Sequence, residues 1–475
     1  MNIRDFIKKR YKILIAISLL SLSISIIFLK QTGKKDAVMV FAATFLLLLE
    51  IYIARIDKKN SILLFILSFP ILVTARKICY FTSASIRVNY EIIYITILFI
   101  LSIKDVKRYL KRALQKDNTP EFKYITSIAL LIIFAINSIA FSQNIVMSLS
   151  ETYISLIAPI MFMLCVVSIF TKEDRFKIYY MLIGGLNLSC FYGFFQILAN
   201  RIPLNAISHN RALITFGYHN INIFAGILTI TLPFIIDMLL YKDNTKKEKQ
   251  FLYISLLIGL AALILTFTRG AWMSFVISIF IILISKKYRK IVYLLLASSL
   301  FLTKPLLKLI ITRGGNTVSF FQNESVIARL QSIFTSIRMM VHYPFGIGAG
   351  NFESMYKKFA MEGYLAMPQS FRTQLTMANY TLENAHNLWL QIGVEFGIAC
   401  SIIFFIIVLN RIALLFKNYS ENRANFTAIV IFLIYTVLTG MEFDHKGVIT
   451  ETLIMWLIFA IITLNSKDTK NNIKA

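Results

Sequence analysis

The sequence predicts an all-α, polytopic membrane protein, and three observations carry that prediction. The 475-residue chain is 57% hydrophobic with a mean hydropathy of +0.69. Apolar runs long enough to cross a bilayer recur from end to end. Basic residues collect in short segments that alternate with those runs. A soluble chain of this length would instead show long polar faces around separate cores. Backbone groups in lipid must be satisfied internally, so the runs are helices unless they close a barrel. They are too long and too uniformly apolar for barrel strands.

Taken in order, the first run follows the basic start MNIRDFIKKRYK and has the outline of a signal peptide. Its core is long, and the QTGKK after it offers no small-x-small cleavage site, so it is expected to remain as the first span. Hydropathy then places spans at roughly 12–29, 37–54, 61–75, 89–103, 124–142, 152–170, 177–199, 221–241, 250–267, 271–285, 290–310, 387–410, 426–440 and 448–465, a total of about 12–14. With the N-terminus in the cytoplasm, the segments ARIDKKN, KDVKRYLKRALQKDNTPEFK, TKEDRFK, YKDNTKKEKQ, SKKYRK, KNYSENR and SKDTKNNIKA join the N-terminal one inside. Together they hold most of the 50 Lys and Arg residues. Both termini are then cytoplasmic. The net charge of +26 reads as this loop bias, with no nucleic-acid partner needed. Glu50 and Asp237 lie near the cytoplasmic ends of their spans, where water is close. Trp272, Trp389 and Trp456 fit interfacial belts. Cys79, Cys165, Cys190 and Cys400 form no close pair and no metal-ligand spacing, so neither a disulfide framework nor a zinc site is expected.

The chain accordingly divides into N-terminal spans (1–310), a long extracytoplasmic loop (311–386), and C-terminal spans with a cytoplasmic tail (387–475). Loops of this length inside compact proteins are usually functional or disordered, and this one is not of low complexity. Apolar residues at 326, 330, 333, 334 and 337 have the spacing of an amphipathic helix. Pro344 ends that helix, and GIGAGNF makes a turn. The loop reads as a helical cap on the outer membrane surface.

Four separate parts of the chain bring cationic or titratable groups to that surface. Arg211 lies in the segment 200–220. Arg269 lies between two spans with almost no loop, in ILTFTRGAWMSF. Arg329 is on the amphipathic helix. His386 stands where the chain re-enters the membrane, in NAHNLWLQIGVEFGI, beside Asn387. A charge at a helix end next to lipid is costly unless it is used or reaches the headgroups. The planar fork of arginine suits bidentate phosphate recognition, so an arginine cluster here suggests a lipid-borne diphosphate. Taken alone, each residue also has a plainer reading. An interfacial histidine more often caps a helix than reacts, and Arg269 can reach headgroups. Arg329 can belong to a solvated face, and Arg338 on the same helix fits lipid contact. His219 and His342 read as structural, and the polar 441–447 stretch (MEFDHKG) as a solvated loop. Glu395, within the span 387–410, is a membrane carboxylate and thus a functional candidate.

FTRGAWMSF, RLQSIFTSIRMMVHYPFGIGAGNF and NAHNLWLQIGVEFGI, in this order and spacing, resemble the bacterial O-antigen ligase/polymerase family. The resemblance covers roughly 265–400. RALITFGYHNINIFAG is similar more loosely to a further family segment, with His219 where proline is usual. The resemblance implies an enzyme that transfers a glycan from undecaprenyl diphosphate to an acceptor hydroxyl, without metal, cofactor or nucleotide sugar. It implies a base at His386, diphosphate binding by Arg211, Arg269 and Arg329, and support from Glu395 and Asn387. Histidine as a residue type titrates near neutrality, which suits a base, and preorganised arginines suit a diphosphate leaving group. Expected partners are the lipid-linked donor, a glycan or glycolipid acceptor, membrane lipids, and flippase and chain-length regulator proteins. The Ile/Lys/Asn-rich usage tilts the expectation toward polymerisation of repeat units over ligation to lipid A-core. A transporter of the same helical bulk is the alternative from another class, though it should carry ionisable groups near the bilayer midplane.

Overall fold

The computed structural model of the chain describes residues 3–32, 34–74, 89–115, 119–203, 206–207, 210–218, 220–284, 288, 290, 324–372, 382, 384–438 and 450–466. Nearly all of the predicted span 290–310, the 441–447 stretch and His219 fall outside these residues. Among the described residues there is no strand. Eight helices among the described residues are long and apolar enough to cross a membrane, and the apolar helices Arg269–Leu283 and Glu451–Asn465 are shorter.

The N-terminal part runs through α1 (Ile3–Thr32), α2 (Lys34–Ile56), α3 (Lys58–Thr74), α4 (Tyr90–Leu114), α5 (Pro120–Ile139) and α6 (Ile145–Thr152). A π-helical turn, Tyr153–Ile157, leads α6 into α7 (Ala158–Ile169), followed by α8 (Arg175–Ala199). Local sequence sets the helix starts. The Thr119 side chain accepts from Phe122 N–H with Pro120 in the first turn, the fixed φ of proline being preorganised there. The central hairpins are α9 (Ile221–Tyr241), α10 (Lys246–Leu265) and α11 (Arg269–Leu283). Thr245 and Glu248 form a capping box at the start of α10, satisfying two orphan donors reciprocally.

Turns predicted to share one side meet through ion pairs. Lys58 reaches Asp105 at 2.7 Å and Lys59 reaches Asp174 at 2.6 Å. Lys172 lies 3.4 Å from Glu421, and Arg423 lies 3.2 Å from Asp237. These contacts tie the turns after α2, α7 and α9 to the start of α17 (Tyr419–Leu438) and define a basic end of the bundle. The starts of α9 and α11 and the end of α17 therefore lie at the opposite end.

The long loop carries α12 (Glu324–His342), α13 (Phe352–Ala366) and α14 (Gln369–Arg372). Pro344 closes α12 as expected. The buried face of α12, however, is not the apolar stripe. Ile327, Ala328, Gln331, Ser332, Thr335, Ser336 and Met339 are buried, whereas Leu330, Ile333 and Phe334 are only partly so and Ile337 is exposed. Small hydroxyl residues let a neighbouring backbone come close. A Cβ on Gly363 of α13 would stand 2.1 Å from Thr335 Oγ1. Of the apolar stripe, Leu330 and Phe334 pack against Ile327 and Met367, and Ile337 is exposed.

Three expectations need correction. The span 387–410 is not one helix: α15 (Leu388–Glu395) ends and α16 (Ile398–Lys417) begins across Gly397, whose φ of +96° only glycine adopts readily. Trp456 is not interfacial. It is fully buried in α18 (Thr450–Ser466), which packs among α7, α9, α16 and α17 as the central helix. Nor is Glu50 near water. It is fully buried, and its Oε1 accepts from Ser68 Oγ at 2.5 Å. Hydropathy gives the length of a span but not its neighbours, so none of these three could be read from composition.

Candidate functional site

The site end is built from segments at helix starts. The first holds Arg211. Gln196 Oε1, near the end of α8, accepts from both Thr215 N–H and Phe216 N–H at 3.0 Å. Phe216 takes a φ of +53° and stacks on Phe224 with ring centroids 4.2 Å apart. Held in this way, the segment projects Arg211 across to the α10–α11 turn. Arg211 Nε donates to Thr266 O at 3.0 Å, and Nη2 donates to Thr268 Oγ1 and Asn222 Oδ1, each at 2.9 Å. Thr266 caps the C-terminus of α10, where orphan carbonyls favour a cation.

The second segment is that turn. Phe267 has a φ of +49°, Thr268 is the N-cap of α11, and Arg269 is the first residue of the helix. Trp272 Nε1 donates back to Leu263 O at 2.8 Å, closing the turn. Arg211 is thus bonded to the residue that immediately precedes Arg269. Both lie beside helix N-termini, those of α9 and α11, whose free N–H groups add positive potential suited to an anion.

The third segment holds His386. Its φ is +50°, a conformation sparsely populated by non-glycine residues and typical of sites that surroundings over-determine. The flanking residue shows how it is held. Ala385 N–H donates to Gln391 Oε1 at 2.7 Å, and Ala385 O accepts from Ser332 Oγ of α12 at 3.0 Å. Asn387 is the N-cap of α15, its side chain accepting from Trp389 N–H and Leu390 N–H. Arg329 lies one turn before Ser332 on α12, hence on the same side of that helix. Ser332 therefore brings the predicted Arg329 toward the predicted His386.

Glu395 is buried at the end of α15 and accepts from Gly350 N–H at 2.9 Å, so the backbone of the GIGAGNF turn, not only side chains, meets this carboxylate. The same turn pairs along the break after α15: Ile347 N–H donates to Val394 O, Gly348 N–H to Glu395 O, and Ile398 N–H to Pro344 O, each at 3.0 Å. Asn351 Nδ2 donates to Ser142 Oγ at 2.9 Å and Ser148 Oγ at 2.7 Å. The loop is thereby strapped to the α5–α6 connection. His342 and Arg338 approach Glu362 of α13 at 3.2 and 4.0 Å on an exposed surface.

The arginine pair and the histidine share one end of the bundle. Tyr435, near the end of α17, donates from its hydroxyl to Asn222 O at 2.6 Å, and α16 runs antiparallel to α17 back to α15. Sequence reasoning missed the residues that hold these groups: Thr268, Asn222, Ser332 and Gln391. Asn222 and Gln391 are polar residues on otherwise apolar helices, a signal that becomes meaningful only once the partner is known.

A helical membrane bundle with cations and a strained histidine at one end defines the class: an integral membrane protein with a polar site at its surface. Residues 254–405 match the family model described as O-antigen ligase, which supports the resemblance of that stretch to the O-antigen ligase/polymerase family. No curated protein matches the chain. The match supports a glycosyltransferase-like role in O-antigen or related polysaccharide assembly, a role that involves a lipid-linked glycan donor and an acceptor. It includes Arg269, Arg329, His386 and Glu395 but not Arg211.

Proposed function

We propose that the protein polymerises surface-polysaccharide repeat units at the outer face of the bacterial cytoplasmic membrane, transferring an undecaprenyl diphosphate-linked glycan to an acceptor sugar hydroxyl. The loop 311–386 and the helix starts around it form the extracytoplasmic site, and both termini are cytoplasmic. His386 takes the proton of the acceptor hydroxyl as that oxygen attacks the anomeric carbon. The bond to the diphosphate oxygen breaks, and Arg211, Arg269 and Arg329 stabilise the charge that develops there. Glu395 and Asn387 fix the loop turn and the start of α15. Neither a metal ion nor a nucleotide sugar takes part.

The observation that supports this reading is the direct bonding of Arg211 to the turn that carries Arg269, next to two helix N-termini. The test is transfer in proteoliposomes given an undecaprenyl diphosphate-linked oligosaccharide, with and without lipid A-core. A ladder of longer lipid-linked glycans is expected, lost in His386→Ala and Arg269→Ala. A single transfer that requires lipid A-core refutes polymerisation in favour of ligation. Unchanged transfer by His386→Ala refutes the assignment of the base.

A further inference from the structure

We infer that Asn222 is a positioning residue for diphosphate recognition, setting Arg211 and the Arg269 turn in one geometry; this rests on the reading of the arginines given above. Asn222 lies in the first turn of α9. Its Oδ1 accepts from Arg211 Nη2 at 2.9 Å and lies 3.3 Å from Thr268 Oγ1, which donates to it. Arg211 Nη2 also donates to Thr268 Oγ1, so the three side chains close a triangle. Two of its corners are the diphosphate-binding Arg211 and the residue preceding Arg269.

Asn222 is itself fixed from two further directions. Its backbone N–H donates to Asn220 Oδ1 at 2.8 Å, and its backbone carbonyl accepts from the Tyr435 hydroxyl at 2.6 Å. One amide oxygen therefore ties α9, the 211–216 segment and the α10–α11 turn together, with α17 as backing. The choice of an amide has a chemical consequence. A neutral acceptor orients a guanidinium without cancelling its charge, whereas a carboxylate in the same place would accept the same bonds and neutralise it. The amide keeps Arg211 both aimed and cationic.

That distinction supplies the test. Binding of undecaprenyl diphosphate would be measured on the full-length protein in proteoliposomes for wild type, Asn222→Ala and Asn222→Asp, with thermal unfolding of each. Asn222→Ala is expected to weaken binding about tenfold, the loss of a charge-assisted hydrogen bond. Asn222→Asp is expected to unfold at the wild-type temperature or above and still to bind about tenfold more weakly, because its carboxylate accepts both bonds while neutralising Arg211. In an Arg211→Ala background, Asn222→Ala should weaken binding by less than it does in the wild-type background. A purely structural amide would instead be rescued by Asp, so wild-type binding by Asn222→Asp overturns the inference. Wild-type binding by Asn222→Ala overturns it too. Absence of binding by the wild-type protein sinks the diphosphate reading itself and this inference with it.

Discussion

Ser332→Ala should slow glycan transfer without touching the reacting groups. His386 sits at a φ of +50°, which costs an L-residue about 1–2 kcal/mol. Two hydrogen bonds to Ala385, itself buried, hold the chain there: one from Ser332 Oγ to its carbonyl, one from its N–H to Gln391 Oε1. Removing Ser332 Oγ leaves a buried carbonyl without that donor, a penalty of about 1–3 kcal/mol. Relaxation of the loop escapes this penalty and releases the strain at His386 together. If about 1 kcal/mol of the bias toward the strained conformer is lost, the competent population and the transfer rate fall roughly fivefold. Gln391→Met, close in size and shape, should do the same from the other side. The double variant should be less than additive, since both bonds act on one residue. The assay is the initial rate of transfer in proteoliposomes at saturating donor. Ser336→Ala is the control: it is one turn further along the same buried face, and its Oγ has no hydrogen-bond partner among the described residues. Wild-type rates in both Ser332→Ala and Gln391→Met, from protein of unchanged thermal stability, would refute the reasoning.

Two further outcomes follow from the strap and the proposed topology. Gly346 has a φ of +90°, and a Cβ there would stand 2.5 Å from Glu395 O and 2.7 Å from Gly397 N. Gly346→Ala should therefore destabilise the cap by roughly 2–5 kcal/mol, combining left-handed strain with overpacking. Faster proteolysis within 311–386 at a temperature where wild type resists is the readout; equal resistance would mean the turn is not held as described. For topology, Met361 of α13 is exposed, while Cys165, Cys190 and Cys400 are buried. Met361→Cys in a Cys79→Ser background should react with a membrane-impermeant thiol reagent on intact cells. Reaction only after permeabilisation would invert the orientation.

What the sequence by itself determined is the class of the protein, together with the residues from which a site is proposed. Membrane helices are legible because lipid demands long apolar runs with internally satisfied backbone, and the basic turns predicted for one side do meet at one end through Lys58–Asp105 and Lys59–Asp174. Arg211, Arg269, Arg329 and His386 stood out as candidates because a charge at an apolar helix end is expensive enough to need a reason. Only the tertiary structure decided how those groups are held. The buried face of α12 turned out to be its hydroxyl stripe, because close approach to Gly363 rewards small side chains where hydropathy scores bulk. Trp456 went to the centre because α18 is surrounded by other helices, a fact of neighbours and not of composition. Asn222, Ser332 and Gln391 gained a role because their partners lie 46, 53 and 6 residues away. A hydrogen bond across such separations leaves no period in the chain. It exists only when the fold has brought both ends together.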